Sequence, residues 1–272
     1  MSCHTSLKIN YFLPSKLCSS LIIQYEHVKA EEENFSVIDR HIPSGYVSLV
    51  FNTSGYATIH KESPIQLPKY FIVAPLNKAI NIGLFGKIDS FIITCRASVF
   101  SRLFSLNLQL SDYSFFHNLE NERLQLIEQQ FIRYKSPKKR ISIIEEYFTK
   151  IGLKEYVPDT IDTLYNHIMD GNGCIPIATQ IEQFKMSPRY FRQHFSNRVG
   201  LNAKSLARIV RANYLWSNII NHQAVDFQKM VFEGDYFDQA HLIHDFKQIV
   251  GETPSYFFKR NLDNIKIISG KT

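Results

Sequence analysis

Between residues 175 and 257 the chain repeats one local pattern, and that repetition constrains the fold more than any other feature. In the first copy, IPIATQIEQFKMSPRYFRQHFSNRVG, a short helix of periodic apolar residues ends near Phe184 and a turn follows at Lys185-Met186. Ser187 then stands where a helix N-cap belongs, Pro188 occupies the first helical position, and Gly200 marks the stop. In the second copy, DFQKMVFEGDYFDQAHLIHDFKQIVG, a helix reaches about Glu233, a turn falls at Gly234-Asp235, Asp238 is the N-cap and Gly251 the stop. Helix, tight turn and capped helix make a helix-turn-helix unit. Between the copies, LNAKSLARIVRANYLWSNII reads as one long helix with Leu206, Ile209, Val210, Trp216 and Ile220 facing inward. Thr253-Pro254 opens one more short helix.

Helical spacing puts Ile181, Phe191 and Phe195 on the inward face of the first unit and turns Arg189, Arg192 and Gln193 the other way. Arginine and glutamine can make bidentate contacts to guanine and adenine edges in a major groove. The free N–H groups of a capped helix start suit a phosphate. Taken alone, such arginines are equally well explained as a solvated helix face.

The segments SPRYFRQHFSNRVG, SLARIVR and DYFDQAHLIHDFKQIVGETPSYF, in that order within residues 158–260, resemble the AraC/XylS family of bacterial transcriptional regulators. The resemblance implies two recognition helices entering adjacent major-groove segments on one DNA face. It assigns base contacts to Arg189, Arg192 and Gln193 in the first and to Gln239, Ala240, His241, Ile243 and His244 in the second. It also implies a homodimer, with RNA polymerase and a small-molecule effector as further partners. The chain departs from the family pattern at Lys185 and Asp235, where turn glycines are usual, at Ile181 for alanine, and at His244 for arginine. Ala240 offers no hydrogen bond.

The formal net charge of +6 is unevenly spread. Lys185, Arg189, Arg192, Arg198, Lys204, Arg208 and Arg211 form a basic run with no acid among them. With Ser187 at the helix start, Lys185, Arg198, Lys204, Arg208 and Arg211 are the phosphate-contact candidates. From Asp226 to Glu252 six acids (Asp226, Glu233, Asp235, Asp238, Asp245, Glu252) face only Lys229 and Lys247. The expectation is that the first unit anchors DNA and the second adds a weaker, selective contact.

The amino-terminal part has a different rhythm. SLIIQYEHV, GYVSLVFN, YATIH, KYFIVAPL, AINIGLF and DSFIITCR are short β-branched or aromatic runs, punctuated at Pro43–Gly45, Asn52–Gly55, Ser63-Pro64 and Gly86-Lys87. They predict a small β barrel or sandwich. After Arg96 helical spacing takes over, with Ser136-Pro137 as a helix start. RHIPSG, VSLVFN and FIVAP are similar, more loosely, to a poorly characterised β-rich, cupin-like domain found ahead of this type of DNA-binding domain. The expected architecture is α+β: a β-rich sensing or dimerisation domain over 1–152 and a tandem helix-turn-helix domain over 158–262. The apolar face of the helices at 119–150 is expected to form a dimer contact, with packing on the β domain as the alternative.

Enzyme signatures are missing: there is no HExxH, GxSxG, Walker A or GxGxxG. A cupin metal site needs clustered strand histidines, and His60 has no histidine two residues away. His241 and His244 share a helix face but lack a third ligand. Neither catalysis, a cofactor nor a metal is therefore expected. The four cysteines form no CxxC pair, and no leader or membrane span is legible, so a cytoplasmic protein is expected. Residues 1–150 identify no effector; Arg40, Arg96, Tyr46, Tyr56 and Tyr70 are candidates for a pocket lining, equally explained by packing. A regulator controlled by a protein partner or by expression level is the alternative to an effector-controlled one, and a cupin-like enzyme fused to a DNA-binding module is a further alternative that the missing histidine cluster disfavours.

Overall fold

The computed structural model describes residues 7–60, 62–109, 122–184, 187–222, 228, 231–232, 236–260 and 262–268. The described strands are β1 (Lys8–Phe12), β2 (Ile22–Ala30), β3 (Ser36–His41), β4 (Tyr46–His60), β5 (Ile65–Gln66), β6 (Tyr70–Val73) and β7 (Ile80–Arg96), all paired antiparallel. GYVSLVFN and YATIH, read separately in the sequence, fuse into β4, and AINIGLF joins DSFIITCR in β7. Register shifts around Ser54 and left-handed glycines at Gly55 (φ 71°) and Gly86 (φ 79°) bend these strands where turns were expected. A bulge re-aims a strand without ending its ladder. The weakly patterned strands β1 and β3 escaped sequence reading.

The bends fold the β4–β7 ribbon over itself. Residues 88–96 of β7 pair with β2 and with the first half of β4, which also carries β6. Residues 80–85 pair with β3 and with the second half of β4. Two layers therefore face each other across an interior, the small barrel or sandwich anticipated from strand spacing.

Helices α1 (Ala97–Leu103), α2 (Glu122–Arg133) and α3 (Pro137–Phe148) follow. Phe131 of α2 packs on Phe51 and Phe91 of the sheet, with ring centroids 4.9 and 5.3 Å apart. Arg140 of α3 is fully buried and donates to Asp89 Oδ1 (2.7 Å) and to the carbonyls of Phe131 and Tyr134. His27 Nε2 lies 2.9 Å from the same Asp89 oxygen. Burial works to raise the Asp89 carboxyl, but its hydrogen bonds with His27 and Arg140 outweigh it and hold the group well below the usual carboxylate range. Leu124, Ile127, Phe131, Ile144 and Phe148, the apolar face expected at a dimer contact, is buried within the chain itself.

The remaining helices are α4 (Thr160–Asp170), α5 (Ile177–Glu182), α6 (Pro188–Val199), α7 (Ala203–His222), α8 (Gln239–Val250), α9 (Pro254–Phe257) and α10 (Asp263–Ile268). Asp159 caps α4 reciprocally with Asp162, near the expected domain boundary. One buried apolar cluster runs from Leu21 and the sheet through α1–α4 to Phe257 and Ile265. Tyr165 Oη donates to the Gly45 carbonyl (2.9 Å), joining α4 to the turn before β4. Among the described residues no helix is long and apolar enough to cross a membrane.

Candidate nucleic-acid interface

Local chemistry builds both recognition helices. Ser187 Oγ accepts from the Tyr190 N–H (3.2 Å) at the start of α6, and Asp238 Oδ1 accepts from the His241 N–H (2.7 Å) at the start of α8. Gly200 (φ 82°) and Gly251 (φ 84°) end the two helices in the left-handed conformation, where a Cβ is strained. Phe191 and Phe195 anchor α6, with Phe184 stacked on Phe191 at 5.1 Å. Leu242, Phe246, Ile249 and Val250 anchor α8.

With those faces buried, the opposite ones are open. Arg189, Arg192 and Gln193 of α6 are exposed, as are Gln239, Ala240, His241 and His244 of α8. Ile243 is half-buried, packed on the cluster of Leu215, Tyr236 and Leu242. His244 Nε2 lies 2.8 Å from Gln248 Nε2, and Gln193 Nε2 donates to Asn197 Oδ1 at 3.0 Å. Lys185, Met186, Gly234 and Asp235, the two turns, lie outside the described residues, as do Asp226, Glu233 and the Ile220 side chain.

The basic run divides into two kinds of residue. Arg189, Arg192 and Lys204 are exposed. Arg198 instead pairs with Asp159 and with Asp162 (2.9 Å) and donates to the Ser98 carbonyl (2.9 Å), joining α6 to α4 and α1. Arg208 donates to both Asp245 oxygens (2.9 and 2.7 Å), and Arg211 donates to the Gly173 carbonyl (3.1 Å) and lies over the Tyr236 ring. These three guanidinium groups, phosphate candidates by sequence, have protein acceptors. Their partners lie 36 to 100 residues away in the chain, out of reach of any local pattern.

Among the described acids of the second unit, Asp245 and Glu252 are tied in the same way. Glu252 Oε1 accepts from Arg40 Nε and from Arg260 Nη1, both at 2.9 Å, and Arg260 also pairs with Asp39. Arg40 Nη1 donates to the Val250 carbonyl (2.7 Å) and the Ala79 N–H to that of Ile249 (2.7 Å). The last turn of α8 is thus pinned to the β domain.

A cavity of about 220 Å³ opens between the two sheet layers. Val50, Phe71, Val73, Ile82, Leu84 and Ile92 line its apolar side; Glu26, Asn52, Ser90 and Thr94 supply a polar one. Ile268 of α10 contributes to its wall, and His41 Nδ1 donates to the Ile268 carbonyl (2.9 Å). Of the residues anticipated for a pocket only Tyr46 lines it; Arg40 serves Glu252, Arg96 donates to Asn166 Oδ1 (3.0 Å), and Tyr56 and Tyr70 stack on Phe85 and Phe51. Glu26, in a strand read only as apolar alternation, carried no sequence signal.

Two capped helices presenting polar faces beside their buried anchors define a tandem helix-turn-helix DNA-binding domain. Residues 181–260 match the family described as "Helix-turn-helix domain". The carboxy-terminal region of this chain is a helix-turn-helix domain, a kind of domain that binds DNA. No curated protein matches the chain. Among solved structures it is similar to ToxT from Vibrio cholerae O395, at 13% identity over 93% of this chain and 97% of that one, with a TM-score of 0.43. ToxT of strain SCE256 bound to an unsaturated fatty acid gives 11% identity over 94% and 95%, with a TM-score of 0.44. The AraC-like transcriptional activator CuxR gives 9% over 77% and 86%, with a TM-score of 0.27.

Proposed function

We propose that this protein reads a specific operator with the open faces of α6 and α8, and that a small effector in the β-domain cavity sets the position of α8. The observation that carries the DNA-reading role is the pair of capped helices whose solvent faces hold Arg189, Arg192 and Gln193, and Gln239, Ala240, His241 and His244. Ile243 contributes from the edge of the second helix. Of the phosphate-contact candidates Lys204 and Ser187 are exposed, and Lys185, outside the described residues, is retained with them.

Effector control rests on connectivity. The cavity wall includes Ile268, α10 packs along β3, and β3 supplies Asp39 and Arg40 to the network that holds the end of α8. A ligand that displaces Ile268 moves the strand to which the second recognition helix is anchored. Such coupling requires the ligand to bind one α8 position better than another.

Footprinting on the chain's own genomic neighbourhood tests the reading. Two protected major-groove segments on one DNA face, about one helical turn apart, are expected. Protection of a single segment would remove α8 from the interface.

A further inference from the structure

Among the described residues the cavity between the sheet layers is lined by one carboxyl group, whose second oxygen has no hydrogen-bond partner. Glu26 is 2% exposed. Its Oε1 accepts from Gln24 Nε2 (2.9 Å) and Thr94 Oγ1 (3.3 Å). Oε2 is buried without a hydrogen-bond partner among the described residues. Burial pushes the Glu26 carboxyl above the usual range, against the opposing pull of those two hydrogen bonds. An acid in an apolar-walled chamber with an unused oxygen is costly to the empty protein, and a ligand that supplies a donor relieves the cost.

The chamber's charge narrows the ligand further. Neither lysine nor arginine lines it among the described residues. An anionic head would enter against Glu26 with no lysine or arginine to receive it, His41 being held to the Ile268 carbonyl through Nδ1, and a neutral hydrocarbon would leave the orphaned oxygen as it was. A protonated amine offers up to three N–H donors and the opposite charge, and charge-assisted hydrogen bonds are about twice as strong as neutral ones. Asn52 and Ser90, joined by a 2.6 Å hydrogen bond, extend the polar side next to Glu26. Gln24, His41, Ser44, Ser48 and Thr94 add further polar groups to the wall, while Val50, Phe71, Val73, Ile82, Leu84 and Ile92 form an apolar side that suits a hydrocarbon body.

We propose that the β-domain cavity binds a small organic amine, its ammonium on Glu26 Oε2 and its apolar body against Val50, Phe71, Val73 and Ile92. This rests on the cavity being the effector site and names the chemistry of the effector. At ~30 Å³ per liquid water molecule, 220 Å³ equals the space of about seven waters and admits a ligand of about ten non-hydrogen atoms.

The test uses the full chain and three probes that share a body and differ in the head: 2-phenylethylamine, 2-phenylethanol and phenylacetate, compared by calorimetry at neutral pH. The expected result is amine binding at least ~10-fold tighter than either other probe. In Glu26→Gln, which keeps the shape and cannot ionise, that preference should vanish while the alcohol binds as before. Phenylacetate or the alcohol binding as tightly as the amine, or an amine preference surviving in Glu26→Gln, overturns the amine assignment and leaves the cavity as an effector site. No binding by any of the three overturns both. The ranking in the unaltered chain needs no variant, so it stands if Glu26→Gln fails to fold.

Discussion

Arg208 of the linker helix grips Asp245 of the second recognition helix through two hydrogen bonds, from Nε at 2.9 Å and Nη2 at 2.7 Å, with the carboxylate 5% exposed. By sequence these residues belong to opposite camps: one in the basic run of the first unit, the other among the acids of the second. In the fold they neutralise each other and lock α7 to α8. The orientation of the second unit therefore rests in part on a charge pair that DNA never has to touch.

Removing one partner exposes that role. Arg208→Ala leaves Asp245 buried without its cation and should cost about 3 kcal/mol in urea unfolding. Lys204→Ala, on an exposed side chain of the same helix, should leave stability within about 0.5 kcal/mol and lower the slope of log affinity against log salt by about 1. A Lys204 variant with an unchanged salt slope would show that it makes no phosphate contact.

The two recognition faces should differ in weight. Arg192→Ala should weaken operator binding by about 1–3 kcal/mol in a gel shift, and His244→Ala by less, since its ring is engaged with Gln248. An equal or larger loss from His244→Ala would reverse the assignment of anchor and selector.

Acid should weaken the β domain through Asp89. Its folded value is depressed, so the stability it contributes is present above the unfolded value near ~3.9 and is lost as pH falls toward the folded one. The gap in melting temperature between the unaltered chain and Asp89→Asn should therefore be wide at pH 7 and narrow below about pH 4.

Glu26 has the opposite sign. Its folded value is raised, so the folded state favours the protonated acid, and the stability it contributes is present below the unfolded value near ~4.3 and declines as pH rises through the folded one. Glu26→Gln should melt higher than the unaltered chain at pH 8 and close to it at pH 4. Thermal unfolding across that range reads the difference directly, and a gap that widened toward acid would contradict it.

What was legible depended on the range of the interaction. Ser187, Asp238, Gly200 and Gly251 act on backbone groups within a few residues, so the recognition helices could be delimited by inspection. The alternation in β2, β4 and β7 was equally local, and the two-layer β domain followed from it. Gly55 and Gly86 were read correctly as changes of direction but not as bends within continuous strands, because a bulge and a turn use the same residues.

The sequence alone determined that this chain carries two capped helices of the kind that read DNA, with particular arginine, glutamine and histidine side chains on their open faces. Only the tertiary structure decided which charges remain for DNA, by pairing Arg198 with Asp159 and Asp162, Arg208 with Asp245, and Glu252 with Arg40 and Arg260. It also placed Glu26 in the wall of a cavity and set Ile268 in the same wall. Caps and helix faces follow from neighbours a turn away, whereas a charge's partner and a cavity's lining come from segments that meet only when the chain has folded.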